Sequence, residues 1–337
     1  MFLFLYILIF LSVHVSVKIH VFSQIQALTF VHICFIILIQ VKLEQEAQTM
    51  IVISFMGIKG GIGKTTLAYN FGEYLADKKN KKVLLMDLDQ QNSLTNLYGI
   101  SDAEGTVASI FSVYDKNRKE ARIHQVEPNI GLIAGSTVLD DIQSRLETYA
   151  NKNIILYRWL FEHLENVVNQ YDYLIIDCHP DLAIAAKNAA VVSDCIFTPV
   201  TPTKFSYDSL TDLSVRIDSL REEAINPVSG ESLVNAKIYY LANMIQRNTH
   251  ISRDFLKLVS QEKNEGKPWI AEIPKREIFN RSTYDSIPII KMEEVAAGKK
   301  VDVPVSTADY AKRQKADYYK EVNEIFNNMQ NIADLEA

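Results

Sequence analysis

The residues best able to do chemistry lie in one glycine-rich run, Lys59-Gly60-Gly61-Ile62-Gly63-Lys64-Thr65-Thr66. A short apolar run, Ile51 to Phe55, enters it, and a stretch with apolar residues at Leu67, Phe71 and Leu75 leaves it at helical spacing. A loop between a buried strand and a helix N-terminus turns backbone N–H groups inward, where they bind phosphate oxygens. Glycine admits an anion where a side chain would block its approach. Lys64 is placed to reach the β- and γ-phosphates of a nucleotide and Thr65 to hold Mg²⁺. The strict G-x-x-x-x-G-K-[ST] spacing is not met, because residue 58 is Ile; a second lysine, Lys59, stands before the glycine pair.

Carboxylates end two further apolar runs. Val83 to Met86 leads into Asp87-Leu88-Asp89, and Leu174-Ile175-Ile176 leads into Asp177-Cys178-His179-Pro180. Groups at the carboxyl ends of parallel strands point into the cleft where ligands bind. Asp177 is therefore expected to hold Mg²⁺, directly or through water. His179 is a candidate proton shuttle, although a loop histidine is more often a bystander.

These groups need a sheet to align them. Buried strands are expected at Ile51 to Phe55, Val83 to Met86, Ile130 to Ala134, Tyr173 to Ile176, Cys195 to Thr198 and Ile238 to Ala242. Helices are expected at Lys64 to Lys79, Ile154 to Val168, near 183–192, 207–223 and 251–261, and in one piece from about Thr307 to Met329. Alternation of strand and helix reads as α/β: a doubly wound, mostly parallel sheet with helices on both faces, in one domain over 50–337.

The chain has 337 residues, 48% of them hydrophobic, and a net charge of -6. It is no polycation. Its three cysteines form no C-x-x-C pair, which argues against a zinc ribbon, an iron–sulfur scaffold or a disulfide framework. Residues 1–49 differ from the rest, being apolar with few charges. A signal peptide fits poorly, since a basic n-region and an A-x-A-like site are lacking. We read the segment as a mis-set start before Met50, with a membrane segment as the alternative. Peptides from before Met50 in the native protein's mass spectrum would overturn that reading.

The loop with its two lysines resembles the deviant Walker A motif of the ParA/MinD family of P-loop ATPases. The resemblance runs from Met50 to about Met329 and is most like the short, plasmid-type, Soj-like members. It implies ATP and Mg²⁺ as ligands and a homodimer with ATP sandwiched between the copies. Lys59 would then reach the partner's ATP, a charge supplied in trans as an arginine finger is. Asp87 to Gln91 is similar to the family's D-x-D-P-Q element, with Gln90 in place of the proline. The resemblance assigns Asp89 to orienting the attacking water and Asp87 to a supporting place near the metal. It makes Thr198 to Leu210 the lining of the adenine pocket, with Pro199 and Pro202 in it, and sets Asn243 or Met244 near the base.

Within the family, the ParA branch implies DNA partitioning: non-specific binding to duplex DNA in the ATP state, hydrolysis stimulated by a ParB-like centromere-binding protein, low basal turnover, and a cytoplasmic, nucleoid-associated place in the cell. Membrane anchoring would follow only if residues 1–49 are made. Between Lys267 and Lys315 ten Lys/Arg face seven Asp/Glu, and Lys275, Arg276 and Arg281 are the candidates for phosphate contacts. The MinD branch normally ends in a basic amphipathic helix, whereas this chain ends Asp334-Leu335-Glu336-Ala337, so no lipid partner is expected. A membrane-linked bacterial tyrosine kinase is the alternative from another class, suggested by Tyr310, Tyr318, Tyr319 and the apolar leader.

Overall fold

Strand β1 (Ile51–Phe55) is, apart from Ser54, built from β-branched and aromatic residues, carries no charge, and lies at the centre of an eight-stranded sheet. The computed structural model describes residues 50–101, 104–226 and 229–337. The apolar leader, with the readings placed on it, lies outside the described residues. The other strands are β2 (Val83–Leu88), β3 (Ile123–Glu127), β4 (Ile130–Ile133), β5 (Tyr173–Cys178), β6 (Cys195–Val200), β7 (Lys237–Ile245) and β8 (Trp269–Pro274). Their order is β3-β4-β2-β5-β1-β6-β7-β8. All neighbours are parallel except the edge pair β3 and β4.

Successive residues of each central strand face opposite sides, which divides the core in two. Val52, Leu84, Met86, Leu174 and Ile176 pack with the helices Ile155–Glu162, Ile184–Val192 and Lys204–Glu223. Ile53, Phe55, Leu85, Ile175 and Phe197 pack with Lys64–Lys78 and with the C-terminal helix Ala316–Glu336. Both faces are covered, as a doubly wound α/β sheet requires. Among the described residues no helix is long and apolar enough to cross a membrane.

The structure departs from the sequence expectations at both rims of the sheet and in two helices. The edge strands β3 and β8 were not expected. The helix expected over Ile154 to Val168 is α-helical only over Ile155–Glu162. The single helix expected from Thr307 to Met329 is two, Val305–Arg313 and Ala316–Glu336, separated where Gln314 and Lys315 turn to extended backbone at ψ 145° and 139°.

Candidate functional site

Sheet register brings the chemistry together. Phe55, the last residue of β1, lies beside Asp177 of β5, and Asp87 of β2 lies on the other side of Asp177. The glycine-rich loop therefore leaves the sheet next to the carboxylates. Gly61 and Gly63 take φ of 71° and 93°, which only glycine adopts without strain. Gly63 also has no room for a side chain, since a Cβ would come within 2.6 Å of Asn243 Nδ2. It stands at the start of the helix Lys64–Lys78 with no side-chain cap, so the helix's first N–H groups stay open to an anion.

A cavity of about 310 Å³ lies over this loop, lined by Gly60 to Thr66 together with Asp89, Ser93, Pro180 and Met244. Lys64 is buried at its floor, with Nζ donating to the Lys59 carbonyl at 3.3 Å. Burial pulls its pKa down, against the pull of Asp177 and Asp89. Asp177 is fully buried and neither carboxylate oxygen has a well-formed hydrogen bond. Burial and the neighbouring Asp87 push its pKa well above the usual carboxylate range, while the Thr65 hydroxyl and Lys64 act the other way. A buried, under-bonded carboxylate beside a hydroxyl and an ammonium group is unfavourable by itself and calls for a cation.

Asp87 differs. Its Oδ2 accepts from Thr95 N at 2.9 Å and from Thr95 Oγ1 at 2.7 Å, and its Oδ1 accepts from Asp89 N at 3.1 Å. Burial still raises its pKa, to about 6, with these bonds opposing. Its oxygens are committed to protein donors, so Asp87 holds the loop that follows β2 rather than standing open to a metal. Asp89 accepts from Gln91 N at 2.9 Å through Oδ1 and lines the cavity. Thr95 then accepts from Gly135 N at 2.8 Å, joining β2, its loop and the segment after β4.

Other residues singled out by the sequence take varied places. Lys59 is exposed, its Nζ 5.5 Å from the centre of the Phe205 ring. Asn243 donates Nδ2 to the Ile62 carbonyl at 2.7 Å and accepts from Met244 N at 2.9 Å, so it pins the loop to the end of β7. Asn243 and Met244 also line a smaller cavity of about 50 Å³ adjoining the first, with Pro274, Lys275, Arg276, Phe279 and Asn280. Pro199 and Pro202 line neither cavity. Pro199 sits within β6 opposite Leu241 and is buried. His179 Nδ1 is 3.2 Å from Asp181 Oδ2, without the angle of a hydrogen bond. Arg276 is paired with Glu321 at 2.6 Å and Arg281 with Asp285 at 2.6 Å; of the three cations assigned to DNA, Lys275 alone has no ionic partner among the described residues.

Sequence reasoning missed Thr95, Ser93, Pro180, Phe279 and Asn280. Thr95 carried a usable signal, a buried-type hydroxyl eight residues after Asp87 on the short helix Ser93–Leu97. Phe279 and Asn280 had none, since they reach the loop only through the position of β8.

A family model described as an AAA domain (AAA_31) matches residues 50–229. The chain is 34% identical over 159 residues to the virulence plasmid ParA family protein pGP5-D of Chlamydia psittaci, covering 47% of this chain and 59% of that one. It is 28% identical over 247 residues to the chromosome-partitioning ATPase Soj of Treponema pallidum, covering 72% and 90%. Its fold matches that of a plasmid partition protein from Borrelia burgdorferi solved with AMPPNP, with TM-score 0.59, 23% identity, and coverage of 83% of this chain and 99% of that one.

Proposed function

The chain belongs to the AAA-domain family (AAA_31) as a ParA-family Walker ATPase, and from that premise we propose that it is an Mg-ATP-driven dimerising switch for partitioning DNA. In this reading the ATP form binds duplex DNA without sequence preference, and a centromere-bound partner protein triggers hydrolysis and release. Support comes from relatives named for chromosome partitioning and plasmid ParA function. Within the site, the observation that carries the reading is Lys59. It lies beside the 310 Å³ cavity, exposed, with no carboxylate partner among the described residues. A cation so placed suits phosphates brought by a second copy.

The residues fit a magnesium ion. Thr65 and the orphaned Asp177 would hold it, one carboxylate and a hydroxyl being enough where substrate phosphates complete the shell. Bound there, the ion would neutralise charge on the β- and γ-phosphates. The chain's own residues do the rest. The loop N–H groups and Lys64 bind the phosphates, Asp89 orients the attacking water, Asp87 holds Asp89 in register, and Asn243 keeps the loop closed. The smaller cavity is the candidate base site.

The kinase alternative finds little support in the C-terminal tyrosines. Tyr319 is buried and donates to the Ala311 carbonyl at 3.1 Å, and Tyr318 lies under the Arg276 guanidinium. Both belong to a packed helix rather than a free tail.

The test is binding to arbitrary duplex DNA with ATP, with ADP and without nucleotide, at two salt concentrations. Binding that needs ATP and weakens with salt is expected. Equal binding in all three states, or none, would reject the switch.

A further inference from the structure

Arg276 was a candidate for touching DNA, but its surroundings point inward. It precedes the helix Glu277–Tyr284 in extended backbone and lines the smaller cavity with Asn243, Met244 and Phe279. Two of its nitrogens, Nε and Nη2, donate to the same oxygen of Glu321, Oε2, at 3.2 and 2.6 Å. The guanidinium carbon lies 3.7 Å from the centre of the Tyr318 ring. Both partners come from the C-terminal helix Ala316–Glu336, about 45 residues away in sequence. A planar guanidinium held edge-on by a carboxylate and face-on by an aromatic ring loses its freedom to swing into solvent. Among the described residues Nη1 meets no carboxylate, so one edge of the fork is left for the cavity.

We propose that Glu321 and Tyr318 are positioning residues that fix Arg276 as the outer wall of the base cavity, so that the C-terminal helix sets how tightly the base end of the nucleotide is held. The proposal rests on the reading of this site as a nucleotide site. It gives the last helix a part in ligand retention besides covering one face of the sheet. The two contacts divide the work by chemistry. Glu321 sets the direction of the fork and needs its charge; Tyr318 supplies a flat surface and needs its ring, its hydroxyl having no partner among the described residues.

The test measures the affinity of the full chain for Mg-ATP and, separately, for inorganic tripolyphosphate with magnesium, which engages the phosphate loop but has no base. Arg276→Ala, Glu321→Ala and Tyr318→Leu should each weaken ATP binding by about three- to tenfold. Tyr318→Phe, which keeps the ring, should bind ATP like the parent. The double variant R276A/E321A should be no weaker than R276A alone, because both changes remove one interaction unit. Tripolyphosphate affinity should be the same in every variant.

Unchanged ATP affinity in Glu321→Ala and Tyr318→Leu would overturn the proposal. So would a parallel loss of tripolyphosphate binding, which would mean that the helix merely keeps the domain folded. A parent protein that binds tripolyphosphate as tightly as ATP would also overturn it, since the base cavity would then contribute nothing. A parent that binds ATP in the expected way but shows no nucleotide-dependent DNA binding would instead reject the partitioning role and leave this proposal standing.

Discussion

Single residues in this site divide into those that face the ligand and those that hold them. Lys64 is the floor of the phosphate cavity, and Lys64→Ala is expected to abolish nucleotide binding, read by titration with ATP. Among the described residues Asp89 Oδ2 meets no hydrogen-bond donor, and Asp89→Ala is expected to retain ATP binding while losing hydrolysis, so that the ATP-bound form accumulates on DNA. Normal turnover in that variant would remove Asp89 from the role of orienting water. Thr95 belongs to the second kind. Its hydroxyl donates to Asp87 and accepts from Gly135 N, so Thr95→Val leaves a buried N–H and a buried carboxylate short of a partner. A loss of about 1–3 kcal/mol in unfolding free energy is expected, together with slower hydrolysis. Urea melts and a turnover assay check the two effects. The ligand-facing residues were legible in the sequence because each is a particular residue type at a strand end or in a glycine run. Of the holding residues, Asp87 and Asn243 were singled out and Thr95 carried a signal that went unread, whereas Glu321 and Tyr318 are common types whose part here lies in what the fold sets beside them.

At the scale of elements, the interior of the sheet was legible and its rim was not. Buried parallel strands such as Val83–Leu88 and Tyr173–Cys178 read as apolar runs up to the aspartate near each carboxyl end. The edge strands β3 and β8 carry His124, Gln125, Glu127 and Glu272 and gave no such run. The break between the last two helices has no proline or glycine to announce it; the backbone turns extended at Gln314 and Lys315. One element-level tie has a measurable consequence. Glu73, in the helix that leaves the phosphate loop, is buried and accepts from Tyr98 OH at 2.8 Å, joining that helix to the segment after Asp89. Burial pushes its pKa up to about 7, helped by Glu127 and Asp77 and opposed by the Tyr98 bond and Lys291. A carboxyl whose pKa is raised on folding binds more protons in the native state, so stability falls as pH rises from about 4.5 to about 7, and the cost is complete above that window. Glu73→Gln keeps an acceptor for Tyr98 and removes the charge. It should stabilise the protein at pH 8 by up to about 3 kcal/mol and make little difference at pH 4.5. Melting curves at the two pH values decide it; an equal shift at both would mean that Glu73 is not protonated by burial.

For the whole molecule, the difficulty is charge. A chain of net charge -6 does not bind a polyanion through its overall field, so any DNA contact must come from a local basic surface. Two features bear on how. Lys59, at the start of the phosphate loop, and the 75% exposed Phe205 lie together, a cation on an aromatic ring facing solvent, which suits the second copy proposed above. Lys275 is the cation of its trio not already neutralised within the subunit. Lys59→Ala should therefore leave ATP binding by the single subunit intact while abolishing ATP-dependent dimerisation in sedimentation velocity, and DNA binding should disappear with the dimer. Lys275→Ala should leave dimerisation intact and weaken DNA binding alike on all sequences. Each phosphate contact contributes about 0.9 to the slope of log affinity against log salt, so loss of one lysine per subunit should reduce that slope by about 2 for a dimer. If Lys59→Ala still dimerises and binds DNA, the copies do not meet across the nucleotide. If Lys275→Ala keeps the full slope, the DNA lies on another face, and the exposed lysines from Lys267 to Lys315 belong to an ordinary solvated surface.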